Sequence, residues 1–399
     1  MKKILVATTF NNHFRFFFRL SQTLRKLDFE THFLTNKLSI LKESENLDAI
    51  VDTIKYSKSP EKKSLLNRSF EEAAGFLNEH KARKIATSVW SKLEQKLSHA
   101  DYDYIFLWGG VRIIELTAAV FAKRRGIKTL FFEIGNFPGK VFVDPLGTNA
   151  QSLLAEKPGI LQSLSYDLNT YRDWSEKYIS ESLHKHSVPQ GKSAVNVEYM
   201  KNVYDIIGFR FKKLIQTEPI LTKGKITGKY LRNIMKLNYD NIDVSKEKYL
   251  LYPMQVNKDA QLVLNSDVGN LEALQIANER ANESGIQLLV KPHPGEVEFG
   301  FIKKVNELKE KIGFRFVNNN TIELIINAEE IITINSTVGL QAKIAHKEIR
   351  CLGKAFYNSF DDKMIAAYIQ SYLIDADFWN EKEITLDSAK KILSRAELS

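Results

Sequence analysis

"LLVKPHPGE", residues 288–296, is a hydrophobic run that stops abruptly. Leu288, Leu289 and Val290 read as a buried strand. Pro292 and Pro294 flank His293 and restrict the backbone on both sides, so the turn that follows is stiff. Lys291, His293 and Glu296 gather at its end. A buried strand ending on a rigid, polar turn is expected in a parallel sheet, where ligands meet the carboxyl ends of the strands.

The flanking sequence repeats this rhythm. "KYLLYPMQ" (248–255) reads as a strand and "NLEALQIANERANESG" (270–285) as a helix closed by Gly285. "EFGFIKKVNELKEKIG" (298–313) is a helix closed by Gly313. "FRFVNN", "IELIINA" and "EIITINS" follow, then a helix from Thr337 and a last strand, "EIRCLG". The first 135 residues alternate in the same way, through the strands "KKILVATT", "FETHFLT", "YDYIFLWGG" and "KTLFFEIG" and the helices between them. Strand–helix alternation with glycine at the turns implies doubly wound parallel sheets. The fold class expected is α/β, with two Rossmann-like domains facing a cleft. The N-terminal domain spans 1–240, with a helical insertion at about 166–240, and the C-terminal domain spans 241–399. Residues 136–165, rich in Pro, Gly and Asn, read as a loop of specific geometry.

A length of 399 residues suits two such domains, and 44% hydrophobic with 26% charged residues is a soluble globular balance. No apolar run reaches the roughly 18 residues that a membrane span needs. "MKKILVATTF" reads as a first strand, because its apolar run is short and no small-residue cleavage site follows. Cys351 is the only cysteine, so no intrachain disulfide forms, which fits a cytoplasmic location. The net charge of +9 points to an anionic partner. Arg210, Lys212, Lys213, Lys223, Lys225, Lys229, Arg232 and Lys236 crowd one stretch, opposed by Glu218 alone. That stretch is either a solvated helical face or a surface for anionic lipid at the inner face of the cytoplasmic membrane. No nucleic-acid motif and no zinc-ligand spacing is present, so nucleic acid is not an expected partner.

The candidate chemistry lies after strands. His293 can donate to a phosphate. In "ITINSTVGLQA" (332–342), Ser336 or Thr337 caps a helix whose first N–H groups attract anions, and Gly339 permits close approach of the backbone. A plain N-cap explains Ser336 equally well. Gln255 and Asp259 follow the first strand of the second domain, whereas Glu133 and Asp144 follow the last strand of the first. Carboxylates suit glycosyl transfer, as acid, base or nucleophile. Asp144 before Pro145 is also an ordinary turn initiator. The chain has no Walker loop, no G-x-G-x-x-G after the first strand, no G-x-S-x-G and no H-E-x-x-H, which disfavours ATPase, dehydrogenase and hydrolase readings.

"FFEIGNFPGKVFVDPLGTN", "YPMQVNKD", "LLVKPHPGE", "ITINSTVGLQA" and "CLGKAFY", in that order, resemble the capsule polysaccharide biosynthesis proteins, over roughly residues 100–360. That family includes retaining β-Kdo glycosyltransferases that use CMP-Kdo on a variant of the glycosyltransferase B architecture. The resemblance implies capsule or lipopolysaccharide biosynthesis, with a nucleotide-sugar donor and a glycan or glycolipid acceptor. It implies that His293, Ser336 and Thr337, joined by Lys291 and Asn335, hold the CMP phosphate and ribose, and that Gln255 and Asp259 face Kdo. Asp259 is the first choice for nucleophile and Glu133 for acid or base, with Asp144 near acceptor or sugar; the three carboxylates are interchangeable at this stage. Gln341 stands where the family pattern expects Glu. Metal is not required by this chemistry, and none is expected. The rival readings are an inverting glycosyltransferase with another nucleotide sugar and a non-catalytic capsule assembly protein.

Overall fold

The computed structural model describes residues 1–61, 68–184, 195–218, 237–296 and 298–398. These divide into two compact units. One lies within Met1–Lys157, Gly191–Ile220 and Ser371–Ser399, the other within Pro158–Gln190 and Leu221–Gln370.

The first unit is built on seven strands. They are β1 (Lys2–Ala7), β2 (Phe29–Thr35), β3 (Ile50–Thr53), β4 (Tyr104–Trp108), β5 (Lys128–Ile134), β6 (Lys140–Asp144) and, from the chain's end, β12 (Ile374–Asp375), in the spatial order β12-β6-β5-β4-β1-β2-β3. β3-β2-β1-β4-β5 are parallel, and β6 runs antiparallel to β5. Helices cover both faces because the strands are apolar on both. Ile4 and Val6 pack with Phe14, Phe16, Phe17 and Leu20 of the helix Asn11–Arg25, whereas Leu5 and Ala7 pack with Ile85, Val89 and Leu93 of Glu79–Leu97 and Ile114 and Phe121 of Ile113–Arg125. Each buried phenylalanine contributes about 1.5–3 kcal/mol. This is a Rossmann-like doubly wound sheet.

The second unit has five parallel strands, β7 (Tyr249–Pro253), β8 (Gln287–Lys291), β9 (Arg315–Phe316), β10 (Glu330–Thr333) and β11 (Ile349–Cys351), in the order β11-β10-β7-β8-β9. Helices Asn270–Glu283 and Phe299–Ile312 pack one face with Leu250, Tyr252 and Val290. Thr321–Asn327 and Thr337–Ile344 pack the other with Tyr249, Leu251 and Leu289. It too is Rossmann-like.

Three features differ from the sequence reading. "VFVD", inside the expected loop, is β6, paired with β5 from Glu133↔Phe142 to Phe131↔Asp144. "IELIIN" of the run "IELIINA" is helical, within Thr321–Asn327, and Asn320 caps it through Ile322 N–H at 2.8 Å. The domain boundary near 240 is also replaced. Residues 371–398 return to the first unit, where Ile374 pairs with Val141 and Ile384, Ala389 and Ile392 join the core around Phe16. Thr23 Oγ1 donates to Ile384 O at 2.6 Å and the Arg19 guanidinium to Asp377 O at 2.8 Å. The helix Leu168–His184, expected as an insertion in the first domain, belongs to the second unit: Asn320 Nδ2 donates to Ser182 O at 2.7 Å, and Gln341 Nε2 to Tyr178 Oη at 2.8 Å. Among the described residues, no helix is long and apolar enough to cross a membrane.

Candidate functional site

In the second unit, three adjacent strands end in polar turns. β7 lies between β10 and β8, so the turns after β10 and β8 stand roughly 10 Å apart with the β7 turn between them. Gln255, buried after β7, donates from Nε2 to Asn335 Oδ1 at 2.8 Å and accepts from the Asn335 N–H at 3.0 Å. Asn335 Nδ2 continues to Gln261 O at 2.9 Å, and Asn270 ties the Gln255 backbone from beneath through Nδ2, at 3.0 Å to its carbonyl. These bonds fix the two turns in one register.

His293 is exposed at the end of the β8 turn. Its Nδ1 accepts from the Gly295 N–H at 2.9 Å, so the neutral ring carries its proton on Nε2. Glu296 is buried and holds the neighbouring loops, accepting from Asn257 N–H and Glu298 N–H at 2.7 Å each. The recess beneath, lined by Met254, Gln255, Pro292, His293 and Phe301 among others, has a volume of only about 20 Å³. It is too small for a nucleoside.

Ser336 caps the helix Thr337–Ile344 through Val338 N–H at 3.2 Å, and Thr337 is its first residue. Gly339 serves a purpose other than ligand approach. A Cβ there would come within 2.5 Å of Tyr357 Oη, whose hydroxyl donates to Ser336 O. Lys291 directs its ammonium to Asn319 O, and burial lowers its pKa, with Glu323 opposing. Gln341 is engaged by Tyr178. Asp259 is half-buried and is the N-cap of Ala260–Asn265, with Oδ1 accepting from Gln261 N–H at 2.8 Å.

In the first unit, Glu133 stands half-buried near the end of β5, where Oε1 accepts from the Ile134 N–H at 2.9 Å. The β4 turn runs close by: a Cβ on Gly109 would lie 3.9 Å from Glu133 Oε2. Gly110, at φ +78°, leaves room for the Phe131 ring, which a Cβ would meet at 2.4 Å.

Asp144 corrects an expectation. It is fully buried, and it accepts from the N–H groups of Leu146 (2.8 Å), Gly147 (3.2 Å), Leu153 (2.9 Å) and Leu154 (3.1 Å) and from Tyr372 Oη (2.7 Å). A carboxylate so saturated and sealed organises the 144–154 loop and does not face acceptor or sugar.

A polar cluster near Glu133 escaped the sequence reading. Glu115, in the first turn of Ile113–Arg125, is fully buried and neither oxygen makes a hydrogen bond of good geometry. Burial pushes its carboxyl well above the usual range, and the charges of Glu71 and Glu133 add to this while Arg112 opposes. Glu71, also buried, accepts from Ile113 N–H at 2.9 Å, and burial raises its pKa. Arg112 lies over the rings of Phe10 and Phe70 and pairs with Glu218. His13 stacks on Trp108 at 4.5 Å, and burial with Arg112 nearby lowers its pKa to about 3. The signal was present: a glutamate inside the apolar run "IIELTAAVF" is misplaced unless it is held neutral.

Residues 103–361, more than half of the chain, match the description "Capsule polysaccharide biosynthesis protein". The chain belongs to that family. It is similar to Protein FixF of Sinorhizobium fredii, 24% identical over 277 residues that cover 67% of this chain and 53% of FixF. The chain thus spans about half the length of that relative. It is also similar to the capsule polysaccharide export protein KpsS of Escherichia coli, 22% identical over 282 residues, 65% of this chain and 69% of KpsS. Among solved structures, the β-Kdo 2,7 transferase of Thermosulfurimonas dismutans KpsC aligns with a TM-score of 0.46 and 16% identity, over 100% of this chain and 99% of that one.

Of the expected basic stretch, Arg210, Lys212 and Lys213 are exposed. Lys223, Lys225, Lys229, Arg232 and Lys236 lie outside the described residues.

Proposed function

We propose that the protein is a glycosyltransferase that moves Kdo from CMP-Kdo to a glycan or glycolipid acceptor with retention of configuration. Family membership supports capsule biosynthesis. The observation that carries the enzymatic reading is the trio of strand ends in the second unit. His293 presents an Nε2 proton, the Ser336-capped helix start attracts negative charge, and Gln255 locks to Asn335 between them. A departing nucleoside monophosphate needs such donors.

In this reading Asp259 attacks the anomeric carbon as the bond to the CMP phosphate oxygen breaks, and CMP leaves with the bonding electrons. The acceptor hydroxyl then displaces Asp259, and Glu133 takes the hydroxyl proton. Two inversions give retention. No step is routed through a metal. We place the reaction at the cytoplasmic side, with the exposed Arg210, Lys212 and Lys213 toward anionic lipid.

Mass spectrometry of wild type and Glu133→Gln with CMP-Kdo and no acceptor tests this. The expected result is one added Kdo residue on peptide 249–262, absent in Asp259→Asn. An unmodified protein together with an inverted product by NMR would establish an inverting enzyme instead. Neither CMP release nor CMP binding would leave a non-catalytic assembly role.

A further inference from the structure

The first unit contains a second polar pocket, which the proposed transfer does not use. Its volume is about 210 Å³, and its walls include Lys3, His32, Asp52, Lys92, Lys96 and Tyr102. Lys3 is the second residue of β1 and Tyr102 precedes β4, so the pocket lies toward the amino ends of these strands. Glu133, by contrast, stands at the carboxyl end of β5. The pocket is therefore separate from the Glu133 region within the same unit.

Its wall carries more positive than negative charge. Lys92 and Lys96 share one carboxylate, Asp52, with Lys92 at 3.4 Å, and Lys3 is 3.7 Å from Glu30. Three ammonium groups thus face two carboxylates. The ammoniums of Lys92 and Lys96 are largely withdrawn from water, at 18% and 13% side-chain exposure, which strengthens their pull on an anion.

His32 is the second, independent sign. It is 9% exposed, and its Nδ1 is 2.7 Å from Tyr102 Oη. Burial raises the Tyr102 pKa, so the phenol stays protonated. Its hydroxyl makes no other hydrogen bond among the described residues, so it donates to His32 Nδ1 and leaves the ring proton on Nε2. Nε2 is buried and makes no well-aligned hydrogen bond; the Glu30 carboxylate, 3.4 Å away, attracts it and partly offsets the lowering of the ring's pKa by burial. A buried N–H with a poorly aligned acceptor is costly, and His32 is one of the residues that line the cationic pocket.

We propose that this pocket binds a small phosphate-bearing molecule, with phosphate oxygens accepting from His32 Nε2, Lys92, Lys96 and Lys3. The volume exceeds that of a few waters and accommodates a phosphate with a short organic tail. Such a ligand brings negative charge to the surplus ammonium and a better-aligned acceptor to the imidazole together.

The test uses the full chain in a phosphate-free buffer, with inorganic phosphate and glycerol 3-phosphate as probes. Either probe should raise the melting temperature, because binding to the native state stabilises it. It should also shift the His32 Nε2 resonance in ¹⁵N NMR, assigned with His32→Gln. Lys96→Gln and Lys92→Gln should each weaken the affinity for the probe roughly tenfold, the worth of one charge-assisted hydrogen bond. His293→Ala, which tests the proposed donor site, should retain it. An unchanged His32 resonance with both probes would overturn the assignment even if the lysine variants fold poorly. So would a thermal shift that disappears in His293→Ala and persists in Lys96→Gln.

Discussion

Gln255 and Asn335 hold each other reciprocally: the Gln255 side-chain amide donates to Asn335 Oδ1 at 2.8 Å, and the Asn335 backbone N–H returns to Gln255 Oε1 at 3.0 Å. The pair joins the turns after β7 and β10. Gln255→Ala removes both bonds and leaves a part-buried N–H without its partner. It should cost about 1–3 kcal/mol in urea unfolding. Asn335→Ala should cost a similar amount, and the double variant should fall short of the sum by at least about 0.5 kcal/mol because the residues share bonds. Strict additivity would mean that the turns are held by other contacts.

Asp144 should prove a stability residue. Asp144→Ala strands four backbone N–H groups and the Tyr372 hydroxyl in a buried site, and we expect a loss of at least about 3 kcal/mol. Tyr372→Phe should lose about 1–2 kcal/mol and keep CMP affinity unchanged. Wild-type stability in Asp144→Ala, with turnover lost, would return Asp144 to the chemistry.

His293→Ala should weaken CMP binding by about 1.5–3 kcal/mol in calorimetry, the worth of a hydrogen bond to a charged group, with circular dichroism unchanged. Undiminished affinity in the folded variant would end its phosphate role.

Stability should vary with pH in two directions near Trp108 and Gly109. The Glu115 pKa is raised in the folded state, so its contribution is complete below the unfolded value and is lost as pH rises through the folded one. Glu115→Gln stays neutral and should melt above wild type at pH 8, with the gain shrinking toward pH 4. His13 is lowered from 6.5 to about 3, so the unfolded chain binds its proton first. Stability is therefore lost as pH falls from 6.5 toward 3, and His13→Phe should flatten that acid limb. A Glu115→Gln curve parallel to wild type from pH 4 to 8 would show that the folded carboxyl titrates as it does in the unfolded chain, with no raised pKa.

Gly339→Ala should destabilise by about 1–3 kcal/mol, since its methyl group meets the Tyr357 ring and hydroxyl at 2.5–2.9 Å. An unperturbed Gly339→Ala would indicate that Tyr357 moves aside at no cost.

Local patterning made the parallel strands of both sheets legible. The apolar strands before "PHP" and "NST", the glycines that close helices and the polar groups just after strands all depend on neighbours a few residues apart. His293, Gln255, Asn335 and Ser336 could be placed at strand ends for that reason: a strand end declares itself in sequence, and a parallel sheet gathers its carboxyl ends. The short β6 was missed because Pro138, Gly139 and Pro145 bracket a run of only five residues. Glu115 was missed although its apolar run "IIELTAAVF" marks it, because periodicity was read for the helix and not for the polar residue inside it.

The sequence by itself thus determined the parallel strand–helix alternation in both units and the turns that carry polar groups, because backbone geometry and hydrophobic periodicity are local; the antiparallel edge of β6 and β12 it did not. Tertiary structure decided which unit each distant segment joins and which carboxylates are consumed by architecture. Asp144 looks catalytic in its loop, and only the arrival of Tyr372 from 228 residues away, with four N–H groups folded around it, makes it structural. Such contacts are set by how apolar surfaces close over one another along the whole chain, a physical condition that no window of neighbouring residues contains.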